Sequence, residues 1–179
     1  LGVLDLTRTP LGARMLRRWL GQPLLDVNAI NDRLDGVDHF YQRHLLRSRI
    51  MSILDQVSDI ERLTNRIKSG IALPRELVTM RRSLEGVQRL LDGLMETGEA
   101  PEEMFVALDP CVEASTLIGK AISEDPPSSF EQGGVIKTGF SSAVDDLRNS
   151  FARSRNYIVG LEQHERERTG IKSLKVGYN

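Results

Sequence analysis

The sequence predicts an all-α, multi-helix bundle with one long helix near its end and a short terminal β-strand. Three observations support this fold class. Apolar residues recur three and four positions apart along most of the 179 residues, which places them on one face of a helix. Capping residues, prolines and glycines separate these segments at helix-length intervals. Only one segment of any length, the last nine residues, alternates apolar and polar residues as a strand does.

Composition narrows the class of protein. The chain has 24 Lys and Arg against 25 Asp and Glu, which argues against a domain built as a basic nucleic-acid-binding surface, although local DNA contacts remain open. Because no apolar run approaches the ~18 residues of a transmembrane helix, we expect a soluble, cytoplasmic chain without a membrane partner. A single cysteine, Cys111, cannot form an internal disulfide. The chain opens on Leu1 without a signal peptide, so we expect a piece of something longer.

Four helices are predicted in the first 70 residues. The first begins with Thr9 as N-cap and Pro10 at the first helical position, and Gly21 is expected to end it in the left-handed conformation. The third covers about 43–57. The expected caps of the second and fourth are Asp26 or Asn28, and Ser58 or Asp59. Gly70 is expected to end the fourth helix. The inward positions are Leu16, Trp19 and Leu20 in the first helix, Ile30, Leu34, Val37 and Tyr41 in the second, and Ile60, Leu63 and Ile67 in the fourth.

Four of these residues are expected to form a structural core: Leu16, Trp19, Leu20 and Leu63. Trp19 is interpreted as a core anchor, because a large aromatic side chain at helical spacing is usually buried. Its truncation to alanine should then cost ~3–5 kcal/mol.

A long fifth helix is predicted from Pro74 to about Met95. Its inward stripe comprises Leu77, Met80, Leu84, Val87, Leu91 and Leu94. A weaker helical stretch over 102–123 is interrupted near Pro110. The following segments are a loop over 125–134 and a brief extended piece over 135–137.

The last helix, about 141–168, carries a heptad pattern. Its apolar positions are spaced alternately by three and four residues, which suits a long, narrow contact with one or two partner helices. These positions, here called the seam, are Val144, Leu147, Phe151, Ser154, Ile158 and Leu161. Beyond the seam the helix is charged on every face, and Gly170 ends it. The segment 171–179, which includes Tyr178, is predicted to be a β-strand.

Several catalytic and metal sites have no counterpart in the sequence. A P-loop needs a glycine-rich turn before Lys and Ser or Thr, whereas Gly119-Lys120 precedes Ala121. None of the three histidines has the Glu three positions earlier that a di-iron bundle requires, and their spacing does not suit zinc. Cys111 has no histidine nearby in sequence and is interpreted as an idle or buried thiol. The sequence thus predicts no catalytic, cofactor or metal site in this chain.

One basic cluster leaves two interpretations. Arg14, Arg17 and Arg18 could bind phosphate, or could form a polar helix face that makes ion pairs, and the second is favoured. Glu165 and Glu167 likewise leave two interpretations: they could act as a catalytic acid and base, or they could belong to a solvated helix face, and the second is favoured.

Four blocks of this sequence resemble the core domain of the MutS mismatch-repair family, in family order and across nearly the whole chain. The first is 7–20 (TRTPLGARMLRRWL) with 22–24 (QPL). The second is 59–63 (DIERL) with Arg66, Ile67, Gly70 and 74–77 (PREL). The third is 133–140 (GGVIKTGF) with 146–148 (DLR), in which Phe140 stands where many relatives have Tyr. The fourth comprises Leu161-Glu162, Glu165-Arg166, 169–171 (TGI) and 174–179 (LKVGYN).

The resemblance implies a division of labour. Residues 1–140 would be the first part of the helical core, 141–170 the lever helix, and 171–179 the start of the DNA clamp, with Thr169, Gly170 and Tyr178 at the junction. It also implies that mismatch reading and the P-loop ATPase, with its ATP and Mg²⁺, lie outside this chain. Mismatched duplex DNA, a second MutS subunit and a MutL-type protein would be partners of the parent.

The function that follows is a non-catalytic coupling domain between a DNA clamp and an ATPase. The alternative is a free-standing helical scaffold or protein-interaction bundle, and a small helical enzyme is disfavoured by the missing motifs. With its partner elements outside the chain, the isolated chain is expected to self-associate through the seam and the strand.

Overall fold

The computed structural model describes residues 2–97 and 108–175, and in these ranges the chain forms seven α-helices and no β-strand. The helices are α1 (Pro10–Gly21), α2 (Val27–Gln42), α3 (His44–Leu54), α4 (Ile60–Lys68), α5 (Pro74–Thr97), α6 (Val112–Ala121) and α7 (Ser142–Thr169). A short 3-10 turn lies at Phe130–Gln132. The all-α class predicted from the sequence is confirmed. The chain divides into two compact units, Leu1–Ile136 and Lys137–Asn179.

Side-chain capping sets the start of three of the short helices, α1, α2 and α4. The Thr9 hydroxyl accepts the Gly12 N–H at 3.0 Å, and Pro10 opens α1. Of the alternative caps, Asp26 caps α2 and Asp59 caps α4, where its carboxylate accepts the Arg62 N–H at 3.1 Å. The prediction that Gly21 ends α1 in the left-handed conformation is wrong. Gly21 is the last helical residue, and Gln22 follows it with φ −136°.

The core of the first unit forms around α5, which packs against α3, α4 and α6. The buried apolar side chains are Leu46 from α3, Val57, Leu63 from α4, and Val78, Leu84, Leu91 and Leu94 from α5. Ser83 is also fully buried, and its hydroxyl donates to Thr79 O at 2.9 Å and accepts the Ser58 N–H at 3.0 Å. This buried hydroxyl therefore both donates and accepts a hydrogen bond, as burial of a polar group requires.

A second part of this core lies where the chain returns after α6. Ala121, Ile122 and Val135 pack with Val78, and an antiparallel bridge joins Ile122 to Ile136. The bridge confirms the extended piece predicted at 135–137. The Arg81 guanidinium forms an ion pair with Glu124 that ties the same return to α5.

The prediction that the apolar faces of α1 and α2 are buried is wrong for most of their residues. Trp19 is 40% and Leu20 50% exposed, Leu16 is only partly buried, and no residue of α1 is buried. The stripe of α2 is likewise exposed at Leu34, Val37 and Tyr41. The spacing marks a true helix face, but burial also requires an element packed closely over that face, whereas among the described residues α2 leaves a groove beside Trp19 and covers its ring only with the Arg33 side chain. Leu63, by contrast, is 1% exposed beneath α5.

The predicted terminal strand is not formed in the part that the structure describes. Residues 171–175 contain a turn at Lys172 and Ser173 and no strand pairing. Tyr178 and the rest of the predicted strand lie outside the described residues. In this range the alternating sequence has no second strand to pair with, and an isolated strand leaves its backbone groups without partners.

Candidate functional site

The long helix α7 runs for 28 residues without interruption. At 1.5 Å per residue it spans ~42 Å. Its entry is fixed locally, because the Asp145 carboxylate accepts the Gly139 N–H at 2.7 Å at the turn that precedes the helix. Gly139 has φ +86°, a conformation that favours glycine. The sequence therefore specifies where α7 begins without any partner.

The seam residues of α7 differ in exposure. Leu147 and Phe151 are 72% and 73% exposed, whereas Val144, Ile158 and Leu161 are partly buried. Two large apolar side chains this exposed in the first half of α7 leave an apolar face open to a partner. Arg153 and Arg155, on the same stretch, are exposed and have no carboxylate partner among the described residues.

The end of α7 is held by Gly170 and Arg166. Gly170 adopts φ +72°, and its N–H donates to Arg166 O at 2.9 Å. The Arg166 guanidinium then donates to Leu174 O at 2.8 Å and pairs with Glu162. Thr169 donates its hydroxyl to Glu165 O at 2.7 Å. Of the predicted junction residues, Thr169 and Gly170 therefore form the helix end, and Tyr178 lies outside the described residues.

A charged cluster joins α1 to α4. The Arg14 guanidinium donates to both Asp59 oxygens at 2.8 Å and lies 2.6 Å from Glu61. The hydrogen bonds from Arg14, and then the Arg62 N–H, lower the pKa of Asp59 to about 2, and the Asp59 carboxylate raises the pKa of Arg14. Arg14 thus makes the ion pairs favoured from the sequence, whereas Arg17 and Arg18 are exposed without ion-pair partners in the described ranges.

A second cluster fixes the turn between α4 and α5. The Glu76 carboxylate accepts the Leu73 N–H at 3.0 Å and the Arg66 guanidinium at 2.7 Å, and Arg62 lies 3.3 Å away. These donors, the Leu73 N–H foremost, lower the pKa of Glu76. Sequence reasoning missed this role, although Pro74 followed two residues later by Glu76 is the pattern of a helix start with an acidic first turn.

An aromatic groove with a volume of about 1000 Å³ lies between α1 and α2, and Arg47 of α3, which donates to Phe40 O and Tyr41 O at 2.9 Å, also lines it. Trp19 stands at its edge, and the Arg33 guanidinium lies 3.7 Å from the centre of the Trp19 ring system. Sequence reasoning missed Arg33, because its contact with Trp19 depends on how the two helices pack rather than on spacing along one helix.

The remaining sequence predictions concern metal-binding clusters, the cysteine and membrane-spanning helices. Within the two described ranges, no three His, Cys, Asp or Glu side chains lie close enough to hold a metal ion. Cys111 is exposed, with φ +51° at the start of α6. Each helix in the described part of the chain is too short or too polar to span a bilayer.

These features define an all-α domain whose described side-chain contacts are helix caps, ion-pair clusters and exposed helix faces. Comparison with known proteins agrees with this class. The family model for MutS domain III matches residues 1–175. The chain belongs to the MutS domain III family.

Curated relatives match along the whole chain. The DNA mismatch repair protein MutS of Methanosarcina mazei is 44% identical, over 98% of this chain and 20% of that protein. The corresponding proteins of Dehalococcoides mccartyi and Acetivibrio thermocellus are 43% and 41% identical, each over 100% of this chain and 21% of the relative. The chain therefore spans about a fifth of the length of the curated relatives it matches.

Proposed function

We propose that this chain is the coupling domain of a DNA mismatch-recognition ATPase, in which α7 transmits movement between a DNA clamp and an ATPase domain outside the chain. The observation that carries the proposal is the 28-residue α7 with its open seam, in a chain of the MutS domain III family. An uninterrupted helix can carry a displacement over its length of ~42 Å.

The domain organisation follows from the same proposal. Residues 1–140 are the N-terminal part of the helical core, 141–170 form the lever, and 171–179 enter the clamp. The anchors of the lever are local: Asp145 fixes its entry and Arg166 and Gly170 fix its exit. Movement applied at one end would then be passed on by the helix rather than absorbed by frayed termini.

The activities of the parent belong to this proposal as well. ATP and Mg²⁺ bind in the ATPase domain, and mismatched duplex DNA is gripped by the clamp and read by a separate domain. A second MutS subunit and a MutL-type protein are partners of the parent. This chain supplies no catalytic residue, and we place the parent in the cytoplasm.

The experiment is to break the lever in the full-length parent without altering either end. Asn156 lies in the middle of α7, exposed and off the seam. Asn156→Pro removes an intrahelical hydrogen bond and kinks the helix at a cost of ~3 kcal/mol or more, whereas Asn156→Ala keeps it straight. Mismatch binding, basal ATP hydrolysis and the effect of mismatched DNA on hydrolysis are measured for both variants.

The expected result is that Asn156→Pro retains mismatch binding and basal ATP hydrolysis but loses most of the effect of mismatched DNA on the rate of hydrolysis. Asn156→Ala should behave as the unmodified protein. An unchanged response in Asn156→Pro, with the kink verified by loss of helical circular dichroism in the isolated chain, would contradict the coupling role and favour the alternative, a helical scaffold or protein-interaction bundle without catalytic activity.

A further inference from the structure

The groove between α1 and α2 has the composition of an interaction surface. Trp19, Val37 and Tyr41 contribute side chains that are 40%, 60% and 72% exposed, and Phe40 lies behind them, partly buried. Trp, Tyr and Arg are the residue types that dominate binding energy at protein interfaces. A groove of about 1000 Å³ with this lining is large enough to accept several side chains of a partner.

Arg33 gives the groove its chemical preference. The central carbon of its guanidinium lies over the Trp19 ring, 3.7 Å from the ring centroid, and among the described residues no carboxylate forms an ion pair with it. A guanidinium held over the ring keeps its fork of N–H donors, which matches the two oxygens of one carboxylate. The ring fixes the guanidinium before binding, so less rotamer entropy remains to be lost.

The surrounding charges disfavour a polyanion. The charged side chains that line the groove are of both signs, Asp32 against Arg33 and Arg47, and the rest of the lining is Gly36 with apolar and aromatic side chains. A nucleic-acid backbone brings a phosphate every few ångströms and would meet Asp32 and this apolar lining as well as the two arginines. A protein segment with one carboxylate among apolar side chains satisfies Arg33 and covers Trp19, Val37 and Tyr41 without that repulsion.

We propose that this groove is a docking site for another part of the same polypeptide, an apolar segment that presents one Asp or Glu side chain to Arg33. The relatives are about five times as long as the region they share with this chain, which leaves ample sequence to supply such a segment. Exposed clusters of this kind on a single domain are the usual faces of interdomain contact. The inference rests on family membership and does not depend on the coupling role of α7.

The test is hydroxyl-radical footprinting read by mass spectrometry, on the isolated chain and on the full-length parent. Trp19 and Tyr41 should be oxidised severalfold more slowly in the parent than in the isolated chain. Arg33→Glu in the parent should restore the faster rate, because it places a second negative charge opposite the docked carboxylate. Arg33→Lys should restore it in part, since Lys keeps the charge but loses the fork-shaped donor set.

The matched control is Arg17→Glu, the same charge reversal on α1 at an exposed residue outside the groove lining, which should leave the protection of Trp19 unchanged. Circular dichroism of the isolated Arg33→Glu chain verifies that it is folded. Equal oxidation of Trp19 in chain and parent would overturn the proposal. So would protection of the isolated chain that rises with its own concentration, which would indicate a second copy, or protection by an added DNA oligonucleotide.

The result is separable from that of the coupling experiment. Absence of Trp19 protection in the unmodified parent contradicts the docking site alone, whereas an unchanged ATPase response in Asn156→Pro contradicts the lever alone.

Discussion

At the scale of single residues, two carboxylates each accept a backbone N–H at the start of a helix and bind an arginine from another segment. Asp59 accepts the Arg62 N–H at the start of α4 and both donors of Arg14 from α1. Glu76 serves α5 in the same way, with Leu73 and Arg66 as donors. Each carboxylate thus fixes a local backbone turn and a tertiary contact at once.

Replacing Asp59 with Asn should make the free energy of unfolding fall less steeply as the pH is lowered. The pKa of Asp59 is about 2 in the folded chain, below its ordinary value of 3.8, so folding favours the ionised form. Its contribution is therefore present above about pH 4 and is lost as the pH falls through about 2. Urea denaturation over this range should show a shallower decline for Asp59→Asn than for the unmodified chain.

The control for this prediction is Asp26→Asn. Asp26 also caps a helix, and its carboxylate accepts the Asn28 and Ala29 N–H groups without an arginine partner in the described ranges. Because Asn is also an effective N-cap, both substitutions preserve capping and remove charge. Parallel acid profiles for Asp59→Asn and the unmodified chain would mean that the Arg14 contact contributes nothing to folding.

Trp19→Ala should destabilise the isolated chain by only about 1 kcal/mol, because the indole is 40% exposed and its main described contact is the Arg33 stack. This replaces the larger loss expected from the sequence. Leu63→Ala should cost ~2–5 kcal/mol, since Leu63 is 1% exposed and its removal leaves a cavity beneath α5. Chemical denaturation of the two variants compares them directly, and equal losses would contradict the exposure of Trp19.

At the scale of elements, α7 is specified by its ends more than by its middle. The Asp145 carboxylate holds the turn before it, and Gly170 with Arg166 closes its last turn. Between them the helix has no buried residue. Propensity, capping and the pairs Arg166–Glu162 and Arg168–Glu165 therefore stabilise α7 locally.

Alanine substitutions at two glycines, one inside α7 and one at its C-cap, should change the stability of the helix in opposite directions. Gly170→Ala places a Cβ at φ +72° and should cost ~1–2 kcal/mol at the helix end. Gly160→Ala lies within the helix, where an added Cβ meets nothing within 4 Å, and should stabilise it by ~0.5–1 kcal/mol. Amide hydrogen exchange over residues 160–174 should be faster in the first variant and slower in the second. Slower exchange in Gly170→Ala would contradict the left-handed cap.

The isolated chain should self-associate through the seam, with a dissociation constant in the micromolar range. Burial of a few hundred Å² of apolar surface at ~25 cal/mol per Å² gives several kcal/mol, part of which is offset by the entropy of association. The double substitution Phe151→Glu, Ile158→Glu should shift light scattering towards the monomer. Asn149→Glu, Asn156→Glu adds the same charges off the seam and should leave association unchanged. A monomer at high concentration would mean that the chain itself satisfies the seam.

At the scale of the whole molecule, the described residues form two compact units, and the function proposed for them depends on sequence that the relatives carry elsewhere. Charge is nearly balanced over the chain, at net −1, so no long-range field draws DNA to it. The exposed features are instead apolar or aromatic faces, the seam of α7 and the Trp19–Tyr41 groove, which suit contact with protein.

The isolated chain should neither hydrolyse ATP nor prefer mispaired to matched duplex DNA. The sequence carries no P-loop, and the described residues hold no group of side chains that could bind a metal ion. Saturable ATP turnover, or tighter binding of a mispaired duplex, would contradict this expectation. Weak, salt-sensitive binding to any DNA would not, because contacts to phosphates carry no sequence information.

The sequence by itself determined the helices, most of their caps and the family. Thr9 with Gly12, Asp59 with Arg62, and Gly170 with Arg166 lie three or four residues apart, so their hydrogen bonds follow from local spacing. Tertiary structure alone decided which apolar faces are covered. Leu63 and Trp19 have equally good helical spacing, yet only Leu63 has α5 opposite it. Arg14 and Asp59 are 45 residues apart, and Arg33 meets Trp19 from another helix. Burial and such contacts depend on which elements become neighbours, and periodicity along one helix contains no information about its neighbour.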